Sequence, residues 1–123
     1  MLIRNILEES VRKFDEVKAV KWLKKKEIME RSYGELMENV VSTRKGLLAE
    51  GFEGKHIALI GTSSVEWMES YLGIITGCTT AVPLDAALPC EDLIDLLNRS
   101  DSAALFLSPK LRPYLDAFLG NCP

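Results

Sequence analysis

The sequence predicts an α/β fold, part of a doubly wound sheet with parallel βαβ units, preceded by a β-hairpin and a helix. Three observations carry this expectation. From residue 56 onward, short apolar runs rich in β-formers ("HIALI", "TTAV", "AALFL") alternate with helical segments. Strands separated by helices of roughly ten to fifteen residues signal a parallel sheet with right-handed crossovers. Before residue 56 the pattern differs: an amphipathic segment, two short alternating runs around a lysine cluster, and a long helical stretch. Finally, 123 residues that are 47% hydrophobic and 27% charged have the size and composition of one globular domain with a sizeable core.

Each element has a local reason. Asn5 is a good N-cap, and Ile6, Leu7, Val11 and Phe14 fall near one face, so a helix is expected over 5–14. "KAVKWL" (18–23) alternates as a strand, Lys24 to Lys26 turn, and "EIMER" returns, a short and partly exposed hairpin. Ser32 and Glu35 form an S-x-x-E capping box that starts a helix running to about Glu50, with Gly51 as its stop. "HIALI" (56–60) is the first strand of the second part. The helix 64–77 is apolar nearly all round, which predicts burial on more than one side, and it should end at Gly77. "TTAV" (79–82) is a strand stopped by Pro83, and Pro89 opens a helix at its first turn, with Leu93, Leu96 and Leu97 as the buried stripe. "AALFL" (103–107) is the third strand. "SPKLRPYLDAFLG" (108–120) is a closing helix that Ser108 could cap and that Pro113 would kink unless it begins late. No closing strand follows, so the sheet is expected to be incomplete. The chain therefore divides into 1–55 (helix, hairpin, long helix) and 56–123 (a βαβαβα unit).

Composition also excludes functions. A net charge of −3 leaves no basic footprint for nucleic acid. The densest basic run, "KWLKKK" (21–26), reads as a solvated hairpin tip, or else as an anionic surface contact. Cys78, Cys90 and Cys122 are odd in number and lack metal-ligand spacing, which fits free thiols in a reducing cytoplasm. The single histidine, His56, reads as a packed or strand-edge residue, and no zinc set can be built from it and scattered thiols. The N-terminus turns acidic after one arginine, unlike a secretory signal. The most apolar stretch, 71–84, is too short for a transmembrane span and is broken by Gly, Thr and Pro.

The candidate chemistry sits in "IALIGTSSVEW" (57–67). Gly61 leaves a strand end, and Ser63 with Glu66 forms a second S-x-x-E box at a helix start. Free N–H groups and the helix dipole there could hold an anion at 61–64. Glu66 opposes this by placing a carboxylate in the same turn, and neither G-x-G-x-x-G nor G-x-x-x-x-G-K-[ST] is present. A structural cap is the simpler reading. Ser63 and Ser64 lack a G-x-S-x-G setting. Glu91, Asp92 and Asp95 more simply favour the N-terminal half of their helix than bind Mg²⁺. Trp22 and Trp67 read as packing residues rather than a base-stacking platform. From the residues alone, the result is a cytosolic α/β domain without an active site.

Taken together, the segments resemble the N-terminal part of the adenylate-forming AMP-binding enzymes, and within them the bacterial long-chain fatty-acid–CoA ligases. "RSYGEL" (31–36) is similar to that family's first core motif. "SSVEWMESYLGIITG" (63–77) resembles the helix that starts with Asn-Ser or Thr-Pro-Glu-Trp in relatives. "TTAVPLDAALPCEDLIDLLNRSDSAALF" (79–106) is similar to the segment in which a strand ends in Val-Pro-Leu-Asp or Val-Pro-Leu-Asn. The likeness covers roughly residues 5–108 and rests on order and spacing.

The resemblance implies a two-step reaction: a carboxylic acid attacks ATP to give acyl-AMP and pyrophosphate, usually with Mg²⁺, and the acyl group passes to the thiol of CoA. It also implies what this stretch lacks. The Ser/Thr/Gly-rich phosphate loop ending in Pro-Lys, the later Tyr/Thr-Glu and ribose-binding Asp motifs, and the catalytic lysine should all lie beyond Pro123. Where some relatives carry a basic residue near CoA, this chain has Asp85-Ala86-Ala87. No catalytic, cofactor-binding or metal residue is therefore assigned. The leading expectation is a scaffold fragment of an ATP-dependent fatty-acid–CoA ligase, inactive alone, with ATP, Mg²⁺ and CoA as cofactors of the parent. Its partner would be the remainder of the enzyme or a chain completing the sheet. The alternative is a free-standing module that binds a small anion or nucleotide at 61–64.

Overall fold

A computed structural model describes residues 2–121. The elements run α1 (Ile3–Phe14), β1 (Lys18–Lys24), β2 (Glu27–Ser32), α2 (Tyr33–Ala49), β3 (His56–Ile60), α3 (Val65–Ile75), β4 (Thr80–Leu84), α4 (Cys90–Arg99), β5 (Ser102–Leu107), a 3₁₀ turn (Pro109–Tyr114) and α5 (Leu115–Asn121). β1 and β2 form an antiparallel hairpin, and the other three strands form a parallel sheet in the order β4-β3-β5.

The chain leaves β3 through α3 to reach β4 on one side, then crosses back through α4 to reach β5 on the other. Reversing direction under a fixed crossover hand puts the two helices on opposite faces. The core shows this: Ile57 packs with Leu47 of α2 and Ile74 of α3, whereas Ala58 and Ile60 pack with Leu93 and Leu97 of α4 and Phe118 of α5. Both faces of β3 are thus covered, which explains why it reads as an uninterrupted apolar run rather than an alternating one.

The α2–α3 pair depends on a close approach at Gly73. A Cβ there would fall 2.6 Å from Cβ and Cγ2 of Thr43 and 3.1 Å from the carbonyl of Val40. The capping box at the start of α2 forms as expected: the Glu35 N–H donates to Ser32 Oγ at 3.1 Å, and the Ser32 N–H donates to Glu35 Oε1 at 2.9 Å. These Ser32 hydrogen bonds hold the Glu35 carboxyl below its ordinary range. The helix stops before Gly51, whose φ is +80°.

Several local expectations need correction. Helix α1 starts two residues earlier than Asn5, with Leu2 as its uncapped flanking residue. That end is exposed, so water can satisfy its free N–H groups. Helix α3 ends at Ile75 rather than Gly77: the Gly77 N–H bonds the Ile74 carbonyl, three residues back instead of four, and the Thr79 hydroxyl donates to that same carbonyl at 2.9 Å. Pro83 does not stop β4, which continues to Leu84 with Pro83 in register with Leu59. β4 lies at the sheet edge, where the missing N–H breaks no ladder. Pro89 precedes α4 as its N-cap residue instead of occupying the first turn. The last helical segment divides, with Pro113 inside the 3₁₀ turn and α5 beginning only at Leu115. Ser108 flanks that turn without a side-chain cap. Cys122 lies outside the described residues, and Cys78 and Cys90 carry free thiols.

Candidate functional site

Two neighbouring strands, β3 and β5, send their chains to opposite faces of the sheet. After Ile60 the chain turns through Gly61–Ser64 into α3, and after Leu107 it turns through Ser108 into the 3₁₀ turn and α5. Opposed departures leave a crevice outside the carboxyl ends of the strands, the position where open α/β sheets bind ligands. The Ser108 N–H donates to the Ile60 carbonyl at 2.9 Å and ties the two strand ends together.

A cavity of about 540 Å³ opens there. Trp67 and Phe106 give it an apolar lining, Thr62, Ser64 and Ser108 add hydroxyls, and Lys24 and Lys110 bring amines. A groove of about 610 Å³ adjoins it, sharing Gly61, Thr62, Trp67 and Lys110 and extending to Leu84–Ala87. Gly61 is held tightly: an added Cβ would lie 3.1 Å from Ser108 Cβ and 3.3 Å from Trp67 Cδ1. The Trp67 ring in turn stacks on Tyr71, with centroids 5.2 Å apart. A rigid aromatic wall beside amines and hydroxyls suits a ligand with an apolar body and an anionic or hydroxylated end.

The predicted Ser63–Glu66 capping box is not the cap that forms. Ser64 is the N-cap, accepting from the Trp67 N–H at 3.1 Å. Glu66 therefore sits at the second helical position, exposed, and lines the cavity. Its carboxylate works against an anion at the α3 N-terminus while the two lysines favour one.

Other sequence candidates lie elsewhere. Asp95 pairs with Arg99 at 3.1 Å on the solvent-facing side of α4. Among the described residues, no group of three or more His, Cys, Asp or Glu is placed to hold a metal ion. His56 is exposed rather than packed, at the start of the central strand, with Nδ1 2.7 Å from the Ser100 carbonyl. Trp22 lies in the hairpin beneath the Arg31 guanidinium, 5.4 Å from ring centroid to Cζ.

One group escaped the reading of the sequence. Glu69 in α3 is only 6% exposed. It accepts from Asn39 Nδ2 of α2 at 2.7 Å and lies 3.4 Å from a guanidinium nitrogen of Arg31 in β2. Burial raises the Glu69 pKa, the Asn39 hydrogen bond and Arg31 oppose that rise, and Glu66 adds to it. The available signal was its place on the row Val65–Glu69–Gly73, one residue per turn, all three of which are buried.

The sequence pattern of the AMP-binding enzyme family matches residues 7–120, nearly the whole chain. The chain belongs to the AMP-binding enzyme family. Solved structures agree with this fold. The anthranilate CoA ligase AuaEII in complex with anthranoyl-AMP superposes over 100% of this chain and 23% of its own, with a TM-score of 0.86 at 19% identity. The inhibitor-bound N-terminal domain of FACL13 from Mycobacterium tuberculosis covers 99% of this chain and 30% of its own, with a TM-score of 0.86 at 20% identity. A fatty acyl CoA synthetase from the same organism covers 98% and 24%, with a TM-score of 0.85 at 20% identity. This member of the AMP-binding family thus spans less than a third of each of these relatives. No match to a curated protein was found by sequence.

Proposed function

We propose that the chain is the N-terminal part of a cytoplasmic, ATP-dependent ligase that activates a fatty or related carboxylic acid as acyl-AMP and transfers it to CoA. The observation that carries this reading is the family match over residues 7–120, joined to a fold that accounts for under a third of the similar structures. In this reading the piece supplies scaffold and one wall of the cleft. The parent uses ATP, Mg²⁺ and CoA, and the remainder of the enzyme, or a partner chain, completes the sheet. The division into 1–55 and 56–123 belongs to the same proposal.

The residues present do not fit a nucleotide with its metal. The Gly61–Ser64 turn has hydroxyls but no lysine of its own, Glu66 stands beside it, and the carboxylates of α4 lie on that helix's solvent-facing side. No catalytic step is therefore routed through this chain. Purified chain incubated with ATP, Mg²⁺, labelled pyrophosphate and fatty acids should show no ATP–pyrophosphate exchange above a blank. Exchange above the blank would refute the scaffold role.

The cavity supports a second reading, a module that binds a small anion or nucleotide at 61–64, with Lys24 and Lys110 facing it. Calorimetric titration with ATP, AMP and phosphate separates the two, since the scaffold reading expects no saturable heat.

A further inference from the structure

The hairpin tip is unlike the rest of the surface. Leu23 and Ile28 are direct cross-strand partners, 74% and 69% exposed. Lys21, Lys24, Lys25 and Lys26, all exposed, fall within the same end of the hairpin. Between residues 18 and 31 six basic residues face only two acidic ones, although the whole chain carries −3. Glu30 pairs with Lys18 and Lys21 at 4.0 and 3.7 Å, which leaves the excess positive charge at the very end of the hairpin.

Strand alternation sorts the tip into two sides. Trp22 is tucked against Arg31, and Lys24 lines the cavity at the strand ends. Leu23 and Ile28 fall on the other side. Lys25 and Lys26, with φ of 50° and 69°, make the two-residue turn that carries both lysines outward.

We propose that this tip docks on an anionic lipid bilayer. Two bare aliphatic side chains, flanked by Lys21 along the strand and by Lys25 and Lys26 at the turn, match an interface with anionic headgroups above hydrocarbon. The apolar pair projects from a turn instead of lining a groove. A fluid interface accepts a projecting shape, whereas a protein partner must supply a complementary pocket. The charge reversal between tip and body orients the chain, turning its acidic bulk away from the membrane. The inference stands on the hairpin alone and does not depend on the ligase reading.

Co-sedimentation of the chain with sucrose-loaded vesicles tests it, comparing pure phosphatidylcholine with vesicles containing about 30% phosphatidylserine. Binding is expected only to the anionic vesicles, and it should fall steeply as salt rises from about 0.1 to 0.5 M. Lys25→Asn with Lys26→Gly removes two charges while supplying the Asn-Gly pair that such a turn prefers, so the fold is kept. At roughly fivefold per lysine, it should weaken binding on the order of 25-fold. Leu23→Ser with Ile28→Ser should weaken it at least about tenfold, with unchanged far-ultraviolet circular dichroism. Equal binding to both vesicle types, or binding indifferent to both double variants, overturns the proposal. So does tighter binding to polyglutamate than to vesicles, unaffected by the serine variant, since that outcome identifies an acidic protein as the partner.

Discussion

Replacing Gly73 by alanine should destabilise the chain, against the intrinsic preference of a helix. The added Cβ would sit 2.6 Å from two carbons of Thr43 and 3.1 Å from the Val40 carbonyl. Carbon pairs settle near 3.5–4.0 Å, so α2 and α3 must part by roughly 1 Å. Overpacking of this kind costs about 1–3 kcal/mol, and glycine-to-alanine in a helix returns about 1 kcal/mol. With two carbons and a backbone oxygen in the way, the upper part of that range applies and the net loss is about 1–2 kcal/mol. For a chain of this size that lowers the melting temperature by about 4–8 °C. Gly46 in α2 is the internal control, because a Cβ there meets nothing within 4 Å. Gly46→Ala should therefore stabilise by about 0.5–1 kcal/mol. Urea unfolding followed by circular dichroism gives both values, and Thr43→Gly combined with Gly73→Ala should recover about 1 kcal/mol relative to additivity. If Gly73→Ala proves as stable as Gly46→Ala, the close approach does not govern the helix pair.

Ser64→Ala should cost about 1 kcal/mol by removing the α3 cap, whereas Ser63→Ala should stay within about 0.5 kcal/mol of the parent; equal losses at both positions would reject the assigned cap. Burial raises the Glu69 pKa above its unfolded value of 4.5, so the folded state holds the proton more tightly. The resulting stability is fully present below that unfolded value and is lost as pH rises through the folded pKa. The difference in urea midpoint between the parent and Glu69→Gln, measured from pH 4 upward, should show this decline, since the lowered Glu35 carboxyl contributes the opposite trend equally to both. Leu93→Ala, at a site with no exposure between α4 and the β3 face of Ala58 and Ile60, should cost about 2–5 kcal/mol, read from the same urea curves.

Much of the fold was legible because local rules and burial agree. "HIALI" is apolar at Ile57 through Ile60 because both sheet faces are covered, and the Ser32–Glu35 box satisfies two helix-end donors wherever it occurs. The misreadings fall where two residues offer the same local chemistry or where strand position decides. Ser63 and Ser64 are both good caps, and the folded turn puts the Ser64 hydroxyl, not that of Ser63, on the Trp67 N–H. Pro83 is tolerated because β4 is an edge, which depends on a strand order that no sequence window contains. Glu69 looks like a solvated charge until Asn39 and Arg31, distant in sequence, close around it.

The same dependence on strand order explains why the candidate site was visible as a turn but not as a cleft. Gly61–Ser64 could be recognised as a strand end running into a helix, and its merits as an anion site weighed from Glu66 alone. What makes it part of a cavity is that β5, forty-odd residues later in the chain, lies beside β3 and departs to the opposite face. That brings Phe106, Ser108 and Lys110 to the same cavity as Trp67, while the hairpin adds Lys24. Three segments that share no local motif thus build one wall. A reversal of the sheet order, with β5 beside β4, would leave every local feature of "IALIGTSSVEW" intact and remove the cavity. The cavity beside this segment therefore resides in the crossover topology, and the Ser108 N–H bond to the Ile60 carbonyl is the residue-level trace of that topology.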